Sequence, residues 1–159
     1  MAIETPEPSP LLPSSHLLGL REPLSHYPRS FLLDYYFYSC VSLSHLDLII
    51  PCRVLLLGAQ RITGLLLRYT NGTHSTAGQV RLNCLEKPLQ ASGLQTLWLG
   101  FSKRYHLPFV SVLEVSAPGP RQVVCCWFQV ELCGVLEWWF STTQCQVHHK
   151  GKSSPLTCL

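Results

Sequence analysis

Short apolar segments separated by glycine or proline recur at intervals of roughly ten residues through most of this chain. None of them keeps a helical period over three turns. Regularly spaced short strands with turns between them are typical of antiparallel all-β proteins. We therefore predict an all-β fold, built as a single antiparallel β-sandwich or barrel, with at most one short helix.

The predicted strands are stretches of strand length that are apolar, aromatic or alternating. In chain order they cover residues 31–38, 52–57, 66–70, 73–77, 94–101, 109–115, 123–132, 135–141 and 144–148. Residues 42–47 offer one short helical turn, and residues 87–93 are expected to form a loop. A chain of 159 residues is long enough for one domain with a core of its own.

The first 29 residues differ in composition from the rest, because they hold half of the twelve prolines together with serine and few aromatic residues. Proline cannot donate to a strand ladder, and the segment has little alternating apolar surface. We predict that residues 1–29 form a disordered or loosely docked tail. The β-domain then spans residues 30–150, and residues 151–159 form a flexible C-terminus.

Residues 71–73 allow two interpretations. Asn71-Gly72-Thr73 matches the N-glycosylation acceptor pattern, and Asn71-Gly72 is also the preferred pair for a two-residue hairpin turn. Both central residues of that turn need positive φ, which glycine adopts freely and asparagine tolerates. The turn would place Tyr69 opposite His74. We favour the hairpin, with Asn71 unglycosylated at its tip.

The choice depends on the compartment. The N-terminal residues carry Glu4 and Glu7 ahead of any basic residue, and prolines at positions 6, 8, 10 and 13 interrupt an apolar helix. This is unlike a secretory signal peptide. The most apolar stretch, residues 46–58, contains two charges and a proline and is too short for a membrane helix. We expect an intracellular, cytoplasmic protein that is not secreted, with reduced thiols and no membrane partner.

Charged residues make up only 13% of the chain and apolar residues 47%, whereas about 25% charged residues are usual. Such a surface is expected to be covered by a protein partner, by self-association or by the rest of a larger protein. A truncated or non-functional gene-model fragment is a further alternative. The net charge of +3 does not indicate nucleic-acid binding, because the arginines are scattered and form no basic stripe with aromatic residues.

Several strings together resemble a β-rich domain that recurs in uncharacterised proteins of filamentous fungi. They are Ile50–Arg53, Ile62–Gly72, Gly78–Leu82, Leu97–Phe101 and Leu136–Cys145, and the resemblance spans most of residues 30–155. It implies a β fold and a fungal, intracellular origin. It implies no activity, catalytic residue or cofactor. Since such domains lie inside longer proteins, it also implies that this chain is a short or truncated member.

The residue patterns of metal and catalytic sites are weak. The eight cysteines include no C-x-x-C pair, and the nearest cluster is Cys145-Gln-Val-His148-His149. On a strand, Cys145 and His149 share one face and His148 takes the other, so at most two of these groups converge. No nucleophile elbow, phosphate-binding glycine loop or paired carboxylates are present in the sequence. We expect no metal, no cofactor and no catalytic residues.

The candidate binding surface lies in Cys125–Phe140. With Leu132-Cys133-Gly134 as a three-residue hairpin loop, Glu131 pairs with Val135. One face of this hairpin would be core, carrying Cys126, Phe128, Val130, Leu136, Trp138 and Phe140. The other face would pair Trp127 with Trp139, unless a sheet, a loop or the tail covers them.

Two adjacent indoles can anchor a protein partner or stack on a sugar ring. The sequence therefore predicts a non-catalytic binding or interaction module whose apolar sheet face packs on a protein partner or another domain. The alternative is a β-sandwich that binds a carbohydrate or another small ligand.

Overall fold

The computed structural model describes residues 22–29, 34–120 and 122–157, and it confirms the all-β prediction. In this part of the chain the regular elements are eleven strands and one 3-10 turn, Leu82–Cys84. No helix among the described residues is long and apolar enough to cross a membrane. The greater part of the predicted tail, residues 1–21, lies outside the described residues.

The strands have the following bounds. They are β1 Phe37–Ser42, β2 Leu46–Leu56, β3 Ala59–Tyr69, β4 His74–Gly78, β5 Leu89–Gln90, β6 Thr96–Arg104, β7 Leu107–Glu114, β8 Cys126–Glu131, β9 Val135–Phe140, β10 Cys145–His149 and β11 Lys152–Ser153. Most predicted strands are present, but their ends differ, and β2 and β3 begin at Leu46 and Ala59 instead of at the predicted residues 52 and 66. The predicted loop at residues 87–93 contains the short strand β5.

The strands form three antiparallel sheets, with the orders β1-β9-β10-β11, β4-β3-β2-β5 and β7-β6-β8. We call them the first, second and third sheets. Within the described residues they do not close into one barrel. Each sheet contacts the other two, through β1 and β4, β3 and β7, and β7 and β10. The hydrophobic core therefore lies between three sheets, and its largest fully buried side chains include Trp138, Phe101, Ile49 and Leu65.

The helical turn predicted at residues 42–47 is wrong. β1 ends at Ser42, and a tight turn with His45 at φ 61° leads directly into β2. Leu46 and Leu48 are buried on either side of the half-buried Asp47, which is the alternation of a strand. Pairing of the 11-residue strand β2 with β3 outweighs the weak helical preference of so short a segment.

The Asn71-Gly72 hairpin is confirmed, but its register differs by one residue from the prediction. Arg68, and not Tyr69, lies opposite His74. The loop has three residues, because Tyr69 N donates to Thr73 O at 2.9 Å and Gly72 N donates to Tyr69 O at 2.9 Å. Gly72 has φ +83°, whereas Asn71 has no positive φ. The loop is thus a turn followed by a left-handed glycine. The Asn-Gly pair is compatible with this loop and with the predicted two-residue turn.

The hairpin predicted within Cys125–Phe140 is also wrong. β8 pairs with β6 in the third sheet, and β9 lies between β1 and β10 in the first. The loop between them has Gly134 at φ +73° as predicted. Its backbone bonds go elsewhere, however, with Leu132 N donating to Gln95 O and Leu43 N donating to Gly134 O, both at 2.9 Å. The chain therefore crosses from one sheet to another at this loop.

The core face of this segment was nevertheless predicted correctly. Phe128, Val130, Leu136, Trp138 and Phe140 are all buried. The sixth predicted member, Cys126, is half-buried and packs against the core. Alternation along each strand decides which side chains face inward, whichever strand is the neighbour.

Both described ends of the chain contact the first sheet. Residues 22–29 lie over β9, as the next section describes. At the other end, residues 151–154 belong to the C-terminus that the sequence predicts to be flexible. In the structure they form a turn and β11, and Ser154 is buried. Val147 N donates to Ser154 Oγ and Ser154 N donates to Val147 O, both at 2.8 Å.

Candidate functional site

The two tryptophans of the predicted binding surface lie in different sheets. Trp127, on β8, is half-buried and packs over Gly100 of β6. A Cβ at Gly100 would lie 3.0 Å from the Trp127 ring. The indole therefore fits here because residue 100 is a glycine. Trp139, on β9, is 5% exposed. The predicted cross-strand pair of indoles is not formed.

Trp139 is covered by residues 22–29, one of the alternatives that the sequence left open. Its indole N–H donates to Ser25 Oγ at 2.8 Å. The Tyr27 ring packs edge-on at 5.3 Å between centroids, and the Tyr38 ring lies at 4.7 Å. The face of β9 that points away from the core is therefore occupied by the chain itself.

Glu137 lies on the same face of β9, two residues before Trp139, and is 5% exposed. Its Oε1 accepts hydrogen bonds from Leu24 N at 2.9 Å, Ser25 N at 3.2 Å, Ser25 Oγ at 3.1 Å and Tyr38 Oη at 2.7 Å. Burial, followed by the bond to Glu137, raises the pKa of Tyr38. One buried carboxylate thus fastens residues 24–25 to the first sheet.

Beside this contact is a cavity of about 700 Å³ between residues 24–29 and the far side of the first sheet. Its volume falls within the usual range for small-ligand sites. The sheet contributes β9, β10, the turn at Lys150–Gly151 and β11. Its lining side chains include Tyr27, Glu137, His148 and His149.

Three histidines, His26, His148 and His149, line the cavity, and the last two each have a buried Nε2 without a hydrogen-bond partner. His149 Nδ1 lies 2.8 Å from Val135 O, so this nitrogen carries a proton and donates it to the carbonyl oxygen. His148 Nδ1 lies 2.6 Å from Ser153 Oγ. Burial lowers the pKa of His148, and the nearby Glu137 opposes that shift. His148 is therefore a neutral imidazole at pH 7.

The cavity lining includes three basic side chains. They are Arg29, Lys150 and Lys152, and Lys150 forms an ion pair with Glu131. Interactions with Cys133 and then Glu131 raise the pKa of Lys150. Glu137 is the one carboxylate among the described lining residues.

Cys145 and its neighbouring histidines do not converge. Cys145 is 4% exposed and belongs to the hydrophobic core, whereas His148 and His149 line the cavity. Burial raises the pKa of Cys145 to about 12. In the described part of the chain, no group of three or more histidine, cysteine, aspartate or glutamate side chains is arranged to hold a metal ion.

The sequence reasoning missed Glu137, Ser25 and Tyr27. Ser25 and Tyr27 carry no local signal, since their role depends on a strand 112 or more residues away. Glu137 does carry a local signal, because it is a single carboxylate within the apolar string Val-Leu-Glu-Trp-Trp-Phe. A lone charge in such a strand indicates a specific partner, since a buried charge is unfavourable without one.

Comparison with known proteins gives no relative for this chain: no family model, curated protein or solved structure matches it.

Proposed function

We propose that the protein is a non-catalytic binding module that holds a small, hydroxyl-rich ligand, such as a saccharide, in the cavity between residues 24–29 and the first sheet. The observation that carries this proposal is the pair of cavity-lining histidines, His148 and His149, whose Nε2 atoms are buried without partners.

Hydroxyl groups suit this cavity because each can donate and accept a hydrogen bond. Because Nδ1 of His149 is engaged with Val135 O, its buried Nε2 is left for a ligand hydroxyl. The ring of Tyr27 lines the cavity and is 52% exposed, so it provides an aromatic surface for the apolar face of a sugar ring. The polar and aromatic groups together support a neutral polar ligand.

Binding without catalysis is supported by the carboxylate and thiol chemistry. Hydrolysis of a glycosidic bond usually requires two carboxyl groups, and Glu137 is the one carboxylate among the described lining residues. Its Oε1 already accepts four hydrogen bonds. Cys145, with its pKa raised to about 12, is a protonated thiol and a poor nucleophile.

The test is a panel of monosaccharides, oligosaccharides and polyols, screened by thermal shift and followed by calorimetry on any ligand found. We expect a ligand that raises the Tm of the wild type and binds about tenfold or more weakly to His148→Ala and Tyr27→Ala. His74→Ala is the matched control, because His74 is exposed on β4 and outside the cavity. A panel without any binder, or a binder indifferent to both cavity variants, contradicts the proposal.

A second candidate is a protein partner or self-association, as the low charge content predicts. Phe37, the first residue of β1, is 68% exposed, and Tyr35, two residues before the strand, is 84% exposed. Tyr36, between them, is buried. Tyr35 and Phe37 form a small aromatic surface separate from the cavity.

Sedimentation velocity at increasing concentration tests this candidate. The double variant Tyr35→Ser/Phe37→Ser is expected to abolish association, and Leu82→Ser, which removes another exposed apolar side chain, is expected to leave it unchanged. A wild type that stays monomeric at high concentration argues against self-association.

We place the protein inside the cell, in the cytoplasm of a filamentous fungus, in keeping with the resemblance given above. The seven described cysteines form no disulfide with one another, which supports a reducing compartment. Fractionation of cells that express the tagged protein, with glycosidase treatment to examine Asn71, tests the location.

A further inference from the structure

The tips of two hairpins meet where β3 begins and β6 ends. Leu57 and Gly58 form the two-residue turn between β2 and β3, and Tyr105 and His106 form that between β6 and β7. A Cβ at Gly58 would lie 3.0 Å from Arg104 Nη1, so the two tips are in contact. Between them lies a second cavity of about 320 Å³.

Arg61, on β3, lines this cavity and is only 3% exposed. Its Nη1 donates to Thr143 O at 2.7 Å, and its guanidinium carbon lies 4.0 Å from the centre of the Phe109 ring. Its Nε is buried and has no partner. Burial and then the nearby Arg104 lower the pKa of Arg61.

Neither Arg61 nor Arg104 forms an ion pair with a described residue. The described ion pairs are Arg53–Glu86, Arg68–Asp47 and Lys150–Glu131. Asp34 is linked to Arg61 only through Thr143, whose backbone oxygen accepts from Arg61. The Oδ2 of Asp34 accepts from the hydroxyls of Ser141 and Thr143. A buried guanidinium beside a second one is unfavourable without an anion, so this cavity has an uncompensated positive charge.

The remaining walls of the cavity are apolar or aromatic. They are Leu57, Leu107 and Tyr105, with the guanidinium of Arg104 5.4 Å from the centre of the Tyr105 ring. Tyr105 and His106 have φ 51° and 66°, in a turn that usually takes Asn-Gly. Strained turns of this kind persist where the surroundings hold them, often at ligand sites.

We propose that this second cavity is an anion site for a small organic carboxylate, with the carboxylate between Arg61 and Arg104 and the apolar body against Leu57, Leu107 and Tyr105. A planar guanidinium matches the two oxygens of a carboxylate. The apolar walls supply contact for an aliphatic or aryl group, which inorganic phosphate lacks. The site is separate from the cavity beneath residues 24–29 and does not depend on its function.

The test is an NMR titration of the full chain with 3-phenylpropanoate, its neutral amide 3-phenylpropanamide, and inorganic phosphate. We expect the carboxylate to shift the backbone amides of Leu57, Tyr105 and Thr143, and the amide and phosphate to bind at least about tenfold more weakly. Arg104→Met is expected to raise the Kd for the carboxylate by about ten- to a hundredfold.

Arg104→Met is chosen because Arg104 is only half-buried, so its loss should leave the fold intact. Lys103→Met is the matched control, since Lys103 directly precedes Arg104 on β6 and lies outside the cavity. Equal affinity for carboxylate and amide, tighter binding of phosphate, an unchanged Kd in Arg104→Met, or shifts confined to another surface would each overturn the proposal.

Discussion

Replacing Trp139 by alanine examines whether residues 22–29 form part of the folded structure. Trp139 is buried by this segment together with Tyr38, and its N–H bonds to Ser25. If the segment stays in place in solution, Trp139 behaves as a core residue. If it leaves the sheet, the indole is exposed and its loss matters little.

The expected magnitude follows from the contacts. Truncating a fully buried tryptophan to alanine lowers the free energy of unfolding by about 3–5 kcal/mol, through lost burial and the cavity left behind. Trp139→Phe keeps much of the ring contact but loses the indole N–H, so we expect a loss of about 1–2 kcal/mol. Trp127 is only half-buried, and Trp127→Ala should lower the free energy of unfolding by at most about 3 kcal/mol.

The assay is urea unfolding followed by far-UV circular dichroism, because fluorescence would change with each tryptophan removed. Each variant is also made in a chain that lacks residues 1–29. There Trp139→Ala should be less destabilising than in the full chain, with a coupling free energy of about 0.5–3 kcal/mol. The effect of Trp127→Ala should be the same in both backgrounds.

Two results would refute this reasoning. One is a loss below about 1 kcal/mol for Trp139→Ala in the full chain, far from the range for buried aromatic residues. The other is additivity between Trp139→Ala and removal of residues 1–29, which would mean that the segment does not bury the indole.

Three further predictions concern single positions. Gly72→Ala should destabilise the protein by about 1 kcal/mol in urea unfolding, because φ is +83° there while no atom crowds the site; an unchanged stability would contradict the three-residue loop. Cys145 should react with a thiol reagent far more slowly than the exposed Cys125, since Cys145 is buried with a pKa raised to about 12; mass spectrometry of the labelled native protein measures both. The folded pKa of His148 is lowered, so the unfolded state binds more protons and stability should fall as the pH decreases below about 6.5. Urea unfolding at pH 7.5 and about 5.5 should show this dependence in the wild type, and a weaker one in His148→Gln.

Local patterns in the sequence were enough to predict most of the strands and the inward faces of β8 and β9. Phe128 and Val130 on β8, and Leu136 and Trp138 on β9, are buried as alternation predicts. Asn71-Gly72 marked the correct turn, because few other residue pairs accommodate a tight hairpin. These features depend on side chains only a few positions apart, so they could be predicted from the chain alone.

The exact hairpin register needed the structure. Asn-Gly is compatible with a two-residue turn and with a three-residue loop that ends on a left-handed glycine. Pairing of β3 with β2 on one side and β4 on the other, with Leu65 opposite the buried Ala77, decides between them. The same limitation applies to Arg61, whose sequence neighbours do not reveal that it is buried without a carboxylate.

The partners of β8 and β9, and the covering of the outer face of β9, were decided by tertiary structure alone. The alternation in Cys125–Phe140 is equally compatible with a hairpin and with two strands in separate sheets, because it specifies a face and not a neighbour. β8 lies beside β6 and β9 beside β1, which are strands far away in sequence. Whether the outer face of β9 binds a partner or is covered depended on Ser25 and Tyr27, more than a hundred residues earlier in the chain. Contacts of that separation arise from the packing of the whole chain, and no local pattern encodes them.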